Sequence, residues 1–236
     1  MSRELTVYLP GRVEYDEAVS FQRALVEELH RTGEDRAALI LLEHPPIITI
    51  GRSGTARNVL ADEATLAREG VAVRETNRGG DVTYHGPGQV VGYPVIPLVF
   101  HGKDVHRYLR SLEAVLIATQ ADYGIAAIRR AGYTGVWTPS GKIVSIGVAI
   151  SHWIAYHGFA LNAAPNLDHF KLIHPCGYVG LAVTSMKDLL EEKPDRDELL
   201  DRIVEHFQAE FGFTQTTVLR EPLRLEAAAR SGGVPS

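Results

Sequence analysis

The chain has 236 residues, of which 45% are hydrophobic and 22% are charged, and its formal net charge at pH 7 is −5. This length and composition are typical of a folded protein with its own hydrophobic core, and they exclude a largely disordered chain. The mildly acidic charge argues against a general nucleic-acid-binding protein, which usually carries a basic excess. We therefore expect no nucleic-acid partner.

The sequence shows neither a secretory nor a membrane-spanning signal. Its N-terminal residues lack the apolar core of a signal peptide. The longest apolar run, residues 90–100, is too short to cross a bilayer and contains two prolines. The single cysteine, Cys176, excludes an internal disulfide, and the histidines lack a metal-ligand spacing. These features predict a cytoplasmic protein with no membrane partner and no bound metal.

The pattern of apolar, capping and turn residues predicts elements along the whole chain. In chain order they are strand 5–9, helix 14–31, strands 37–42 and 47–50, helix 62–69, strand 71–75, a turn-rich segment 77–89, an extended segment 90–98, a helix 104–121 capped by Asp104, strands 135–138, 142–150 and 152–161, helix 195–211 and strand 214–219. Because strands and helices do not alternate regularly, we expect a mixed α+β fold rather than a doubly wound parallel sheet. One domain is expected over residues 1–225, followed by a frayed tail at 226–236.

The first segment with chemical potential is residues 78–89, which contain four glycines. Glycine permits positive φ and lets a ligand approach the backbone closely. Arg78, Tyr84, His85 and Gln89 place polar groups beside that backbone. The glycine spacing excludes a Walker phosphate loop and a dinucleotide fingerprint. An ordinary glycine-rich hairpin has the same composition, so this segment by itself leaves both interpretations open.

The second segment is residues 142–150, a predicted strand that begins with a lysine. In a regular strand Lys142 shares a face with Val144 and Ile146, and an amine beside apolar surface can exchange protons during catalysis. The alternative is that the strand begins after Lys142, whose side chain then reaches solvent. On the other face, the small residues Ser145 and Gly147 leave room for a flat or extended ligand.

The third segment is Cys176 between Pro175 and Gly177, a sequence that predicts an exposed loop apex. An exposed thiolate is reactive when a nearby cation stabilises it. The alternative is a small buried hydrophobic residue. The candidate cations, which sequence spacing does not rank, are Lys142, His85, His157 and His174.

With these segments the chain resembles the octanoyltransferases of lipoate synthesis. The matching stretches, in the family's order and spacing, are RGGDVTYHGPGQ at 78–89, KIVSIGV at 142–148, HGFALN at 157–162, PCG at 175–177 and VTSM at 183–186. The resemblance extends from about residue 37 to residue 211. It implies the fold shared by biotin and lipoate protein ligases, in which helices pack on a mixed sheet.

The resemblance also implies a reaction, in which an octanoyl group moves from the thioester of acyl carrier protein to the ε-amine of one lysine on a lipoyl domain. The implied acceptors are the lipoyl domains of 2-oxoacid dehydrogenases and the glycine cleavage H protein. No cofactor is implied, and no ATP is needed because thioester-to-amide transfer runs downhill. The implied catalytic residues are Cys176 as nucleophile and Lys142 as acid and base. The implied acyl-binding residues are Arg78, Gly79, Gly80, Asp81, Val82, Thr83, Tyr84, His85, Ser145, Ile146, Gly147, Gly158, Phe159 and Ala160.

Two other functions stay open at this point. One is an ATP-dependent lipoate ligase of the same fold, which also has a strand lysine at the position of Lys142. Lys142 therefore does not distinguish the ligase from the transferase, whereas Cys176 in its Pro-Cys-Gly motif favours the transferase. A non-catalytic module that binds acyl groups or carrier proteins would need neither residue. We further expect a local basic patch near the Cys176 opening to steer acidic protein partners, because the net charge is negative. Its candidate members are Arg52, Arg57, Arg78, Arg129 and Arg130.

Overall fold

The computed structural model describes residues 3–33 and 36–224, so the tail predicted at 226–236 lies outside the described residues. The strands are β1 (Glu4–Arg12), β2 (Arg36–Glu43), β3 (Ile47–Ile50), β4 (Ala72–Glu75), β5 (Val82–His85), β6 (Gln89–Pro97), β7 (Ile128–Arg130), β8 (Tyr133–Thr138), β9 (Gly141–Ser151), β10 (Ile154–Asn162) and β11 (Gln215–Leu219). The α-helices are α1 (Tyr15–Thr32), α2 (Glu63–Glu69), α3 (Val105–Asp122), α4 (Met186–Leu189) and α5 (Arg196–Phe211).

Eight strands form one mixed sheet in the order β11-β1-β2-β6-β10-β9-β8-β7. Strand β1 pairs in parallel with β2 and with β11, and the other neighbours are antiparallel. The remaining three strands form a separate small sheet in the order β4-β3-β5. This mixed pairing, together with the packed helices, confirms the predicted α+β class.

Helices cover both faces of the large sheet. On one face, α3 and α5 bury residues such as Leu112 and Phe207 against the sheet. On the other face, α1 buries Phe21 and Leu25. A third hydrophobic cluster, which includes Tyr84, packs beneath the small sheet. Among the described residues, no helix combines the length and the apolarity that crossing a bilayer would require.

The longer helices begin and end close to where the sequence predicts. Asp62, Asp104 and Asp195 each accept a hydrogen bond from a backbone N–H in the first turn of the helix that follows. Gly70 and Gly212 adopt the left-handed conformation just after α2 and α5. These caps set the helix bounds locally, which explains why they are readable from sequence.

Two predictions about strands are wrong in part. The segment 77–89 is not only turns, because it contains β5, which pairs antiparallel with β3. Strand β10 begins at Ile154 rather than at His152. His152 and Trp153 both have positive φ, 52° and 61°, and form the two-residue turn of the β9–β10 hairpin.

Candidate functional site

One pocket of about 300 Å³ brings the three sequence segments together. It lies between the small sheet, strands β9 and β10 of the large sheet, and the loop that carries Cys176. Cys176 and Lys142 both line it. Twelve of the fourteen implied acyl-binding residues also line it, namely Arg78, Gly80, Asp81, Val82, Thr83, His85, Ser145, Ile146, Gly147, Gly158, Phe159 and Ala160.

The two other residues expected to bind the acyl group, Gly79 and Tyr84, do not line the pocket. Tyr84 is buried in the cluster beneath the small sheet, where its hydroxyl hydrogen-bonds His169 Nδ1 at 2.7 Å. Strand alternation turns it away from its neighbours Thr83 and His85. The N–H of Gly79 donates to the carbonyl of Val148 at 2.8 Å, so Gly79 joins the glycine-rich segment to β9.

The Lys142 amine contacts the Cys176 thiol, with 3.2 Å between Nζ and Sγ. Lys142 is only 6% exposed, which excludes the alternative in which its side chain reaches solvent. Of the four candidate cations, Lys142 is the one that contacts the sulfur within the described ranges. His174 lines a different surface pocket. An amine and a thiol at this distance can share one proton, which is the requirement for a thiolate nucleophile.

Lys142 reaches the pocket because β9 contains a β-bulge. Val136 pairs with Val144, whereas Trp137 pairs with Lys142, so Ile143 is the extra residue. Ile143 and Val144 are both fully buried in the core under α3 and α5. Lys142 instead lies on the side of Trp137, with Nζ 5.4 Å from the ring centroid. The prediction that Lys142 and Val144 share a face is therefore wrong, because the bulge reverses the alternation.

Gly135 provides the space that the Lys142 side chain occupies. Its φ is 126°, and a Cβ at this position would lie 2.7 Å from Lys142 Cε. The N–H of Gly135 donates to Glu113 Oε1 at 3.1 Å. Glu113 is a buried carboxylate that also pairs with Arg110 at 2.6 Å and Arg129 at 3.1 Å. One carboxylate on α3 thus holds the backbone that faces the catalytic lysine candidate.

Cys176 lies in a 3₁₀ turn, Pro175–Gly177, that is anchored to the small sheet. The thiol is half-buried in the pocket wall rather than at an exposed apex, and Cys176 has a positive φ of 56°. Gly177 packs directly against the Asp81 carboxylate, where a Cβ would collide. Asp81 also accepts a hydrogen bond from Asn58 at 2.7 Å. These contacts fix the loop with the sulfur facing Lys142.

Away from the sulfur, the pocket wall is aromatic and polar, with Tyr15, His85, Tyr93 and His157 among its residues. Behind it, His44 Nδ1 donates to a backbone carbonyl at 2.7 Å, and His44 Nε2 accepts from the Tyr93 hydroxyl at 2.7 Å. This arrangement uses the neutral form of His44. Burial lowers the pKa of His44 to about 4 and raises that of Tyr93 well above its ordinary value.

His85 and His157 are also held in the neutral form. Burial is the main cause that lowers the pKa of His157 to about 3, and the nearby Arg78 charge adds to it. Burial, followed by the neighbouring His44 and Arg78, lowers the pKa of His85 well below its ordinary value. His157 Nε2 donates to Asn77 Oδ1 at 2.8 Å. Near pH 7 this wall therefore presents uncharged imidazoles and phenols to a ligand.

Arg78 is a buried connector, not a member of a surface patch. Its guanidinium donates to the carbonyl of Thr49 at 2.7 Å and to the carbonyl of Asp81 at 2.8 Å, which ties β3 to the glycine-rich segment. Arg129 is committed to Glu113. Of the five arginines expected to steer partners, Arg78 is thus buried and Arg129 is exposed but paired with Glu113, while Arg130 lies over the Tyr133 ring beside the pocket.

Comparison with known proteins decides the family. Residues 14–208 match the lipoyl protein ligase A/B catalytic domain. An octanoyltransferase of Syntrophotalea carbinolica is 45% identical over 199 residues, which are 84% of this chain and 90% of the relative. One of Caldicellulosiruptor saccharolyticus is 45% identical over 222 residues, 93% of this chain and 94% of the relative. This chain belongs to the octanoyltransferase family. The predicted enzyme class, an acyltransferase, is confirmed.

Solved structures confirm the fold expected for this octanoyltransferase family member. A lipoate-protein ligase A bound with ATP superposes with a TM-score of 0.72 at 15% identity, covering 98% of this chain and 94% of that one. A bipartite lipoate protein ligase of Thermoplasma acidophilum, studied with its E2 lipoyl domain, gives a TM-score of 0.69 at 17% identity, covering 98% and 91%. The implied relation to lipoate protein ligases is therefore correct at the level of fold.

Sequence reasoning missed several pocket residues of this octanoyltransferase family member. Tyr15, Tyr93, Tyr133, Thr134 and Tyr178 all line the pocket. Tyr178 directly follows the Pro-Cys-Gly motif, and this position so close to Cys176 is a signal that could have identified it. The others stand in unremarkable helix or strand sequence, and tertiary packing alone brings them to the site.

Proposed function

We propose that this enzyme transfers an octanoyl group from octanoyl-acyl carrier protein to a lysine ε-amine of lipoyl domains, through a thioester on Cys176 and without ATP. The observation that supports it most directly is the 3.2 Å contact between Lys142 Nζ and Cys176 Sγ in the pocket wall. The acceptors proposed are the lipoyl domains of 2-oxoacid dehydrogenases and the glycine cleavage H protein.

Acylation begins when the thiol proton passes to the Lys142 amine, which leaves an ion pair of thiolate and ammonium. The thiolate attacks the carbonyl carbon of the donor thioester, and the bond between that carbon and the carrier's sulfur breaks. The leaving thiolate takes the proton from the Lys142 ammonium. The octanoyl group is then bonded to Cys176 Sγ and Lys142 is neutral.

Transfer to the acceptor uses the same two residues, Lys142 and Cys176. The ε-amine of the acceptor lysine attacks the acyl carbon, and neutral Lys142 accepts the proton that this nitrogen loses. The bond between the acyl carbon and Sγ breaks, which releases the Cys176 thiolate next to the Lys142 ammonium. One lysine thus serves as acid in the first half-reaction and as base in the second.

The backbone N–H of Cys176 is the proposed donor to the acyl oxygen. Within the turn, the N–H groups of Gly177 and Tyr178 donate to His174 and Pro175 at 2.9 and 3.1 Å, so they are engaged. The N–H of Cys176 makes no hydrogen bond inside residues 3–33 and 36–224. A free N–H beside the nucleophile can stabilise the oxyanion that forms during attack.

The acyl chain is proposed to lie along the glycine-lined part of the pocket. Gly147 and Gly158 pair across β9 and β10, and Gly80 faces them from the small sheet side. A Cβ at Gly147 would lie 2.6 Å from the carbonyl oxygen of Gly79, so glycine at this position lets the glycine-rich segment pack closely on β9 at the pocket wall. A pocket of about 300 Å³ is at the lower end of the range of small-ligand sites, which suits one short acyl chain.

Intact-mass measurement after mixing the enzyme with octanoyl-acyl carrier protein tests the covalent step. We expect the mass to rise by one octanoyl group, carried on the peptide that contains Cys176 and removed by hydroxylamine. Cys176→Ala should gain no mass and lose transfer while keeping its melting temperature, because a half-buried side chain in a turn leaves little cavity. Full transfer activity of this variant would contradict the covalent route.

Independence from ATP needs its own test, because a ligase of the same fold binds ATP. Transfer from octanoyl-acyl carrier protein to a lipoyl domain is measured after apyrase has removed nucleotide and EDTA has chelated magnesium. We expect an unchanged rate, since the thioester donor already supplies the free energy. A strict requirement for both ATP and magnesium would assign the protein to the ligase reaction instead.

A further inference from the structure

A second groove, of about 400 Å³, adjoins the pocket. One wall is formed by β8 and by Arg130 at the end of β7, and the other by the segment 178–182 that follows the Cys176 turn. Tyr133 and Tyr178 line both the groove and the pocket, and their ring centroids are 5.2 Å apart. The groove therefore meets the pocket at these two rings, and the proposed reaction steps leave it unused.

Arg130 places a fixed positive charge in this groove. Its guanidinium lies 4.8 Å from the ring centroid of Tyr133 and 5.1 Å from that of Trp137. Within the described parts of the chain it has no carboxylate partner, whereas the adjacent Arg129 pairs with Glu113. A guanidinium that aromatic rings hold in place, without a counter-charge, is suited to bind phosphate.

The opposite wall offers apolar surface and free hydrogen-bond donors. Val179 is 82% exposed and Tyr178 is 45% exposed. The backbone N–H groups of Val179 and Gly180 make no hydrogen bond within residues 3–33 and 36–224. An extended ligand with amide carbonyls and aliphatic carbons could pair with these donors and cover this surface.

The contacts between sulfur and guanidinium form a short series. Cys176 Sγ lies 3.2 Å from Lys142 Nζ, which lies 5.4 Å from the Trp137 ring centroid. Arg130 Cζ lies 5.1 Å from the same centroid. Arg130 therefore lies within reach of a linear ligand whose sulfur is at Cys176.

We propose that this groove binds the 4′-phosphopantetheine arm of the acyl donor, with the phosphate at Arg130. The arm is linear and carries, in order, a sulfur, two amides, a dimethyl-substituted carbon and a phosphate, and the groove supplies a partner for each of these groups. This inference rests on the proposed function, because the thioester must lie at Cys176 for the arm to extend past Tyr133 and Tyr178 into the groove. Acyl carrier protein and coenzyme A both present this arm.

Three octanoyl thioesters that differ only in the arm test the subsite: those of 4′-phosphopantetheine, of pantetheine without phosphate, and of N-acetylcysteamine. The rate of Cys176 acylation is measured by intact mass under kcat/KM conditions. For the wild type, removing the phosphate should lower kcat/KM about tenfold or more, the usual range for a hydrogen-bonded charge. Arg130→Ala should show the same loss with the phosphorylated donor and no further loss with the other two.

Two further variants provide the controls. Val179→Glu changes an exposed side chain and should weaken both donors that carry the pantetheine part, the phosphorylated one more because of repulsion, while it spares the N-acetylcysteamine thioester. Arg107→Ala removes an exposed arginine of α3 that has no carboxylate partner among the described residues, and it should leave all three donors unchanged. Octanoyl-coenzyme A and octanoyl-acyl carrier protein should both lose efficiency with Arg130→Ala.

Several outcomes would overturn the inference. Equal loss of all three small donors in Arg130→Ala would mean that Arg130 acts by supporting Trp137 and Lys142. A loss confined to acyl carrier protein would place Arg130 in a protein–protein contact. Failure of the wild type to acylate Cys176 from every donor, octanoyl-acyl carrier protein included, would overturn the proposed function itself, which the other two outcomes leave standing.

Discussion

Replacing Lys142 by arginine tests whether the amine moves protons or only supplies charge. Guanidinium stays protonated near neutral pH, so it can pair with a thiolate but cannot act as a base. We expect kcat for octanoyl transfer to a lipoyl domain to fall by about 10²-fold or more, the usual contribution of general acid–base catalysis.

Lys142→Ala separates the chemical role from side-chain size. The truncated side chain leaves space between Trp137 and Cys176, and added primary amines such as ethylamine should restore part of the rate. Lys187→Arg, an exposed lysine at the start of α4, is the matched control and should keep full activity. Near-normal turnover by Lys142→Arg would show that Lys142 contributes charge alone.

Gly135→Ala should displace the Lys142 side chain and so disrupt its contact with Cys176. The new methyl group would lie 2.7 Å from Lys142 Cε, and a φ of 126° is strained for alanine. We expect the melting temperature to fall and Cys176 acylation to slow by at least tenfold. Gly124→Ala is the control, because Gly124 has a φ of 72° and open space around its Cβ position. It should lower the melting temperature less, because a Cβ at Gly135 would also lie 2.5 Å from the carbonyl oxygen of Val144, and acylation should continue. Equal slowing in both variants would refute a specific role for Gly135.

At the scale of the elements, the sequence predicts features that depend on neighbouring residues, such as helix ends, but not features that depend on which strands pair. The Asp caps and terminal glycines determine α2 and α5 within a few residues, so their bounds were predictable. The bulge at Ile143 depends on how β9 pairs with β8, and an apolar residue in a strand gives no sign of it. Motif residues could therefore be assigned to the pocket, while the face on which Lys142 lies could not.

The glycine-rich segment illustrates the same limit. Its glycines and Pro87 gave a strong turn signal that concealed β5, a strand of four residues paired with β3. Tyr84 then belongs to the small-sheet core because of that pairing, and no property of its own sequence position shows this. Short strands inside turn-rich sequence are decided by their partners.

Arg78→Lys tests whether the small sheet is held to the glycine-rich segment by one side chain. A lysine has one nitrogen and cannot replace the three of Arg78, of which Nη2 donates to the carbonyls of Thr49 and Asp81, Nε to Thr49 Oγ1 and Nη1 to the carbonyl of Gly79. Hydrogen exchange should accelerate about tenfold or more in β3 and β5, while β6 and β10 keep their protection. Arg74→Lys, an exposed arginine of β4, should change neither, and uniform acceleration throughout the chain would contradict a local role.

At the scale of the molecule, the site lies where two sheets meet. The large sheet supplies Lys142 and the glycines of β9 and β10, and the small sheet together with the Cys176 loop supplies the opposite wall. The buried polar groups between the two, His44, His85 and His157, are therefore part of the interior that folding must desolvate. Catalytic geometry and stability at low pH are linked through these residues.

Unfolding by urea at pH 7.5 and 5.5 measures that link. The pKa of His44 is lowered to about 4 and that of His157 to about 3, so both are neutral in the folded protein at either pH, whereas the unfolded chain takes up protons below about pH 6.5. The unfolded state therefore binds more protons, and the free energy of unfolding decreases as the pH falls. Each such histidine should remove about 1.4 kcal/mol between the two pH values.

Substitution assigns this loss of stability to individual residues. His157→Gln keeps an amide N–H that can reach Asn77 and removes the titrating group, so its stability should decrease about 1.4 kcal/mol less than that of the wild type over the same interval. The decrease for His106→Gln, an exposed position on α3, should match the wild type. A wild-type free energy of unfolding that stays constant from pH 7.5 to 5.5 would show that the pocket histidines protonate without unfolding, and hence that water reaches this wall of the pocket.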